Sequence, residues 1–212
     1  MQDLAIATIR KADLPTAPGT PLGGDFFTGL HTVGASLFAL IVAPKAEGEQ
    51  DEVEWNQATD DNVAGAESLF DGLANTKAMA EAGSDLAKWA LSLDIGGFTD
   101  WHLPAVDQLE IAYRVFKPTV GKNYLWARSG INLSAVPPTF PYTASEPAQT
   151  SLQLFQKGAA EAFESEWYWT STQYAAISDY AWVQDFSDGG QDDNHKSDEY
   201  RARAVRSILV IQ

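Results

Sequence analysis

The chain of 212 residues contains no cysteine. Disulfide bridges, zinc–thiolate sites and cysteine nucleophiles are therefore excluded. Clusters of basic residues are also absent, since 29 acidic residues outweigh 14 basic ones and the formal net charge is −15. Binding to the phosphate backbone of DNA or RNA depends on clustered Lys and Arg, so we expect no nucleic-acid partner.

Long hydrophobic runs are missing as well. The longest, residues 37–44, has the length of one strand, whereas a membrane-spanning helix needs about 20 apolar residues. The first residues lack the basic start and apolar core of a secretory signal peptide. We therefore expect a protein that is made in a cytoplasm and does not insert into a membrane.

Catalytic motifs are scarce. The three histidines, His31, His102 and His195, lie on different segments and form no pair with metal-ligand spacing. No nucleophile elbow or Walker motif is present. His102 lies between Trp101 and Leu103, which is typical of a packed core histidine. The sequence favours a protein that is not an enzyme and that binds no metal or other cofactor.

The N-terminal part divides into an arm and a hairpin. Residues 1–24 contain three prolines and three glycines, which predict an irregular arm apart from a short strand or helical turn near Ile9. The arm is either a disordered leader or a segment that packs on a neighbouring subunit for anchoring or oligomerisation. Residues 25–212 form the predicted main domain, which begins with a β-hairpin of residues 26–33 and 37–44.

Helical periodicity marks the middle of the chain. Apolar residues recur at three- and four-residue steps from Asn75 to Leu93, and a second such run, 106–116, follows Pro104. Shorter helices are predicted at 63–70 and 151–163. The acidic stretch 45–61 predicts an exposed loop around Trp55, and the proline-rich stretch 121–150 predicts a long irregular loop.

Strands are predicted at 167–174, 180–186 and 200–211, with a polar hairpin, 185–198, between the last two. Runs of strand separated from runs of helix indicate the α+β class. Arg203 and Arg206 cannot share a face of one strand, and one of them is expected to pair with a buried carboxylate such as that of Asp100.

The C-terminal quarter combines aromatic with hydrogen-bonding residues, a composition suited to recognition. Trp167, Trp169 and Trp182 are predicted to fill the core. The predicted ligand-binding residues are those expected at strand ends or in the hairpin: Tyr174, Tyr180, Gln191, Asp192, Asp193, Asn194 and His195.

The hairpin 185–198 carries five aspartates. Clustered carboxylates can ligate calcium, which takes six to eight oxygen ligands. The spacing is not that of an EF-hand, and the signatures of calcium-dependent lectins are missing. A solvated turn is therefore favoured over a calcium site.

Four motifs carry a resemblance to a known family. They are GGFTDWHLPAVDQLEIAY (96–113), EWYWTSTQY (166–174), AWVQDFSDGGQ (181–191) and YRARAVRSI (200–208). Together they resemble the DUF1566 family, also described as the Lcl C-terminal domain. Two features depart from its pattern: Ala105 stands where Ser or Thr is usual, and residues 121–165 form a longer stretch than expected.

The resemblance implies a C-type-lectin-like fold with two helices packed on antiparallel strands. Formylglycine-generating relatives work through cysteines, which this chain lacks. The segment 23–49 is similar to the start of short members encoded in tailed phages and prophages. The resemblance thus implies a phage virion component that is made in the host cytoplasm and needs no signal peptide.

The main hypothesis from the sequence is a receptor-binding protein of a tail fibre or baseplate. Its expected ligand is a host surface carbohydrate or protein, and its expected partners are other virion proteins, which it contacts through the arm as a homo-oligomer. A capsid decoration or tail-assembly role is the alternative, and an enzyme of unknown chemistry is a third hypothesis.

Overall fold

The structure is a computed structural model and describes residues 7–57, 61–126 and 128–212. It confirms the α+β class, since the described chain is mostly strands in two curled sheets with few helices. The strands are β1 (Thr8–Arg10), β2 (Pro21–Leu22), β3 (Asp25–Val33), β4 (Ser36–Val42), β5 (Glu49–Glu54), β6 (Trp167–Gln173), β7 (Tyr180–Asp185), β8 (Gln191–His195), β9 (Glu199–Arg203) and β10 (Val205–Ile211). The helices are α1 (Lys45–Gly48), α2 (Gly72–Glu81), α3 (Asp85–Ser92) and α4 (Val106–Phe116).

The first sheet has the strand order β1-β10-β4-β3-β2. The predicted hairpin is confirmed, because β3 and β4 pair antiparallel from Phe26 opposite Val42 to Val33 opposite Ser36. Its turn passes through Gly34, whose φ of 59° lies in the left-handed region that glycine tolerates. The covered strand β4 is buried from Ala39 to Val42, as its apolar sequence predicts.

The described part of the predicted arm, residues 7–24, packs on its own domain. β1 runs parallel to β10, and β2 pairs antiparallel with β3. Ala7, Ile9, Leu14 and Leu22 lie against the apolar cluster beneath this sheet. These residues therefore extend the first sheet, and the arm's role in anchoring or oligomerisation stays a prediction.

The single helix predicted from Asn75 to Leu93 is wrong, because the segment forms the two helices α2 and α3. Gly83, with φ 104°, ends the first. The side chain of Ser84 then caps the second by accepting a hydrogen bond from Ala87 N at 3.2 Å. The helix predicted after Pro104 is confirmed as α4.

Two shorter helix predictions are wrong. Residues 63–70 form turns, bends and irregular backbone, and within 151–163 the only helical piece is the 3-10 turn Gln153–Phe155. The long loop is confirmed, since no helix and no named strand occurs in the described residues of 121–150.

The second sheet has the strand order β5-β9-β6-β7-β8. The exposed loop predicted at 45–61 is wrong for its first half, which forms α1 and the edge strand β5. Trp55 is fully buried, and its indole Nε1 donates to the carbonyl oxygen of Thr170 at 2.8 Å. The acidic hairpin also differs from the prediction, because it contains β8, which pairs with β7.

The last predicted strand, 200–211, splits at Ala204 into β9 in the second sheet and β10 in the first. Its two arginines therefore enter different parts of the interior. The predicted pairing with Asp100 is confirmed for Arg206, whose Nε lies 2.7 Å from Asp100 Oδ1. Arg203 Nη2 lies 2.7 Å from Glu161 Oε2.

No helix in the described ranges has both the length and the hydropathy that a membrane span requires.

Candidate functional site

The outer edge of the second sheet places polar and aromatic residues on one face. In the antiparallel pair β7–β8, Tyr180 lies opposite His195 and Trp182 lies opposite Asp193. Residues directly opposite each other in such a pair point to the same face. Tyr174, just past β6, adds its ring to Trp182. We call these five residues, Tyr174, Tyr180, Trp182, Asp193 and His195, the aromatic face.

Ring contacts hold the aromatic face in shape. The rings of Tyr174 and Trp182 meet edge to face at a centroid distance of 5.3 Å, and those of Tyr180 and His195 at 5.7 Å. His195 is positioned further, because its Nδ1 lies 2.7 Å from Ser197 Oγ and its Nε2 lies 3.7 Å from Asp179 Oδ2. All five side chains are partly exposed. The face is therefore ordered before any ligand arrives.

Asp193 supplies the only carboxylate among these five residues. Burial, with a smaller effect of the neighbouring Asp192, raises the pKa of Asp193 above its ordinary value. A carboxylate held among aromatic rings is a strong hydrogen-bond acceptor, and the rings offer rigid apolar contact. The arrangement suits a ligand that combines hydroxyl or amide groups with apolar surface.

Four of the seven predicted ligand-binding residues thus come together: Tyr174, Tyr180, Asp193 and His195. Gln191 shares their face but is buried, and its Oε1 accepts from Gly130 N at 3.3 Å. Asp192 and Asn194 alternate with these positions along β8 and point to the opposite face. One residue of the face, Trp182, was expected in the core.

The core prediction for the tryptophans is confirmed for Trp169, which is fully buried, whereas Trp167 and Trp182 are only partly buried. The signal for Trp182 was present in the sequence, since it alternates in step with Tyr180 along one strand. What the sequence did not show is that the described residues cover this part of the face only partly.

A pocket of about 300 Å³ adjoins the start of β8. It is lined by Tyr124, Trp126, Trp167, Asp188, Gly190, Gln191 and Asp192. We call it the turn pocket. Trp126 is 72% exposed and Tyr124 is 48% exposed, although large aromatic side chains are usually buried to a much greater extent. A hydrogen bond from Tyr124 N to Asp188 O, 2.9 Å, ties the long loop to the turn.

Tyr124 and Trp126 were not predicted as site residues. The long loop that carries them lies more than 40 residues from β8 along the chain. Gln191 and Asp192, both predicted, line the pocket. The turn pocket and the aromatic face therefore lie at the two ends of the same edge strand.

The aspartates at the β7–β8 turn shape the backbone. Asp185 Oδ1 accepts from Ser187 N at 2.6 Å, and Asp188 Oδ1 accepts from Gly190 N at 2.9 Å. Gly189 has φ 82°, and a Cβ there would lie 2.4 Å from the Tyr113 ring. Within the described ranges, no group of three or more His, Asp or Glu side chains is placed to hold a metal ion.

His102 is 1% exposed, which confirms its predicted place in the core. Burial lowers the pKa of His102 to about 4, so the ring is neutral near pH 7. It lies outside both the aromatic face and the turn pocket.

The family model of the Lcl C-terminal domain matches residues 46–206. This chain belongs to that family. The matched part of this Lcl C-terminal domain includes all four helices except the first residue of α1, and it includes the whole second sheet with the aromatic face and the turn pocket. β1 to β4 lie outside the match. No curated protein matches the chain.

Proposed function

We propose that this protein is a non-enzymatic, receptor-binding component of a phage virion, located at a tail fibre or baseplate. Its ligand in this proposal is a host surface structure, with carbohydrate favoured over protein. The observation that carries the proposal is the aromatic face beside the turn pocket, where partly exposed rings and hydrogen-bonding groups follow one edge strand.

The chemistry of the two surfaces supports a carbohydrate ligand. A sugar presents apolar C–H faces that pack on aromatic rings, together with hydroxyl groups that donate to carboxylates. Tyr180 and Trp182 offer the rings, and Asp193 offers the carboxylate on the same face. In the turn pocket, Trp126 likewise offers an aromatic ring and Asp192 offers a carboxylate. Rigid aromatic contacts cost little conformational entropy on binding.

The proposed scaffold is a C-type-lectin-like fold. Two features support it besides the family. The first described strand, β1, lies beside the last, β10, in one sheet. The long irregular loop after α4 contributes Tyr124 and Trp126 to a pocket at the second sheet. In this proposal the N-terminal arm contacts other virion proteins, and the protein acts as a homo-oligomer.

An array of bacterial surface glycans tests the ligand class. We expect the purified chain to bind at least one glycan, and Tyr180→Ala and Asp193→Asn to weaken that binding about tenfold or more. Leu154→Ala is the matched control, because Leu154 is 45% exposed and lines neither the turn pocket nor the aromatic face. Undiminished binding by both face variants would contradict the proposed surface.

A reconstruction of the intact particle tests the location. Density for this chain at the tail tip supports host recognition. Density in the capsid lattice contradicts it and supports the decoration role instead.

A further inference from the structure

A second cavity, of about 400 Å³, lies between the first sheet and the α2–α3 pair. It shares no lining residue with the turn pocket or the aromatic face. Its apolar walls include Phe38, Leu73, Leu91 and Trp101, and its polar wall includes His102 and Ser207. We call it the histidine cavity. Its volume lies within the range of about 300–1,000 Å³ that small-molecule sites occupy.

The geometry of His102 defines its hydrogen-bonding state. Its Nδ1 lies 3.3 Å from the backbone oxygen of Asp100, which can only accept, so Nδ1 carries the proton. Nε2 is then a bare acceptor. It is buried, and no other described residue gives it a hydrogen-bond partner. Buried polar atoms without a partner are rare because each one loses its hydrogen bonds to water.

The neighbouring polar groups of this wall are already paired. Gln108 Nε2 donates to Ser207 Oγ at 3.1 Å, and Ser207 Oγ lies 3.1 Å from His31 Nε2. Phe38 stacks on His31 with ring centroids 5.6 Å apart, which holds this side of the cavity rigid. His31 Nδ1 also lacks a partner, but His31 does not line the cavity; among the described lining residues, His102 Nε2 is the buried side-chain atom without a hydrogen bond.

The charges near the cavity offset one another. Asp71 and Lys77 have opposite signs, and Asp100 is paired with Arg206. Among the described residues, the charged groups that line the cavity, counted with Arg206, leave no excess charge of either sign for an ionic ligand to neutralise. The cavity therefore suits an uncharged molecule.

We propose that the histidine cavity binds a small, uncharged, mostly apolar molecule with one hydroxyl or N–H donor, which bonds to His102 Nε2. The apolar body packs on Phe38, Leu91 and Trp101. This site is independent of the host-recognition surface proposed above, since no residue is shared.

Phenol is the probe for this proposal and toluene is its matched control, because the two differ by a hydroxyl group in place of a methyl group. We titrate each into the isotope-labelled full chain and follow the backbone amides and the His102 ring nitrogens by NMR. Phenol is expected to bind saturably, to shift the His102 Nε2 resonance and to bind about tenfold more tightly than toluene.

Two variants locate the binding. Leu91→Trp fills the cavity and is expected to abolish phenol binding, whereas Leu154→Trp, on the exposed 3-10 turn, leaves it unchanged. His102→Phe removes the acceptor and is expected to bring the affinities for phenol and toluene within about twofold of each other. Thermal unfolding confirms that each variant is folded.

Three results would overturn the proposal: no saturable phenol binding by the unmodified chain, equal affinities of that chain for phenol and toluene, or unchanged phenol binding by Leu91→Trp.

Discussion

Trp169 and Trp182 lie on the neighbouring strands β6 and β7, yet their surroundings are opposite. Trp169 is fully buried, and its indole Nε1 donates to Val53 O at 2.7 Å. Trp182 is partly exposed and meets Tyr174 edge to face. Trp169 lies opposite Val183 and shares its face, whereas Trp182 is next to Val183 along β7 and points to the other face. The face of Trp169 packs against α2 and α3, and the face of Trp182 is only partly covered.

Two other tryptophans repeat the first pattern. Trp55 and Trp101 are fully buried, and each donates its indole N–H to a backbone carbonyl, of Thr170 at 2.8 Å and of Phe98 at 2.9 Å. Trp126, on the long loop, is exposed and resembles Trp182 in this respect. Aromatic content alone therefore does not identify a binding surface in this protein, because the same residue type builds the framework and the site.

The largest expected effect separates the two tryptophans by stability. Trp169→Ala should lower the free energy of unfolding by about 3–5 kcal/mol, because it empties a packed volume. Trp182→Ala should cost less than about 1.5 kcal/mol, since its ring is only partly covered. Urea denaturation measures both. Equal losses would show that the aromatic face is part of the framework.

Charged residues allow the same comparison. Arg203 is fully buried beside Glu161 and Glu49, so Arg203→Met should cost about 3 kcal/mol because it removes the buried positive charge that lies beside both carboxylates. Lys88 and Asp85 form an exposed pair at 3.0 Å, and Lys88→Met should cost less than about 0.5 kcal/mol. Chemical denaturation at neutral pH measures both values. Equal losses of stability in Lys88→Met and Arg203→Met would contradict the prediction that the buried ion pair matters more for stability than the exposed one.

Buried histidines make stability depend on pH. Burial lowers the pKa of His102 to about 4 and that of His31 to about 3, below the 6.5 of the unfolded chain. Below pH 6.5 the unfolded chain therefore binds protons that the folded chain excludes. The free energy of unfolding consequently decreases as the pH is lowered. From pH 7.5 to pH 5 the loss is about 2 kcal/mol for each histidine.

His102→Phe isolates one of these contributions. The variant lacks the titrating ring, so the stability difference between unmodified chain and variant should shrink by about 2 kcal/mol from pH 7.5 to pH 5. Burial raises the pKa of Asp25 to about 6, which acts in the opposite direction but equally in both chains. A stability difference that stays constant from pH 7.5 to pH 5 would show that folding does not lower the pKa of His102.

The smallest expected effect concerns the aromatic face itself. Burial and the nearby Asp192 raise the pKa of Asp193, so its charge does not favour folding. Asp193→Asn should therefore leave the free energy of unfolding within about 0.5 kcal/mol or raise it slightly. Thermal unfolding measures the stability of the variant, and the glycan array measures its binding. A large loss of stability would give Asp193 a structural role.

Local signals predicted much of the fold. The hairpin β3–β4 followed from two apolar runs around Gly34, and α4 followed from its periodicity after Pro104. The break between α2 and α3 was missed because Met79, Leu86 and Trp89 keep one helical spacing across Gly83. That spacing describes a face, and it does not show where the backbone stops being helical.

Long-range pairing explains the other failures. The acidic β8 has no apolar alternation, but its backbone still pairs with β7. The buried place of Trp55 depends on a carbonyl more than 100 residues away. For the site, the position of Tyr180 near a strand end predicted it, whereas Tyr124 and Trp126 come to the turn pocket through contacts distant in the chain, among them the bond from Tyr124 N to Asp188 O.

The sequence by itself determined the α+β class, the family, the hairpin, the helix after Pro104 and the pairing of one C-terminal arginine with Asp100. These depend on local periodicity and on motifs that persist whatever surrounds them. Only the tertiary structure decided which tryptophans are framework and which are surface. Burial depends on what packs against each face, and that is set by backbone pairings between segments far apart in the chain.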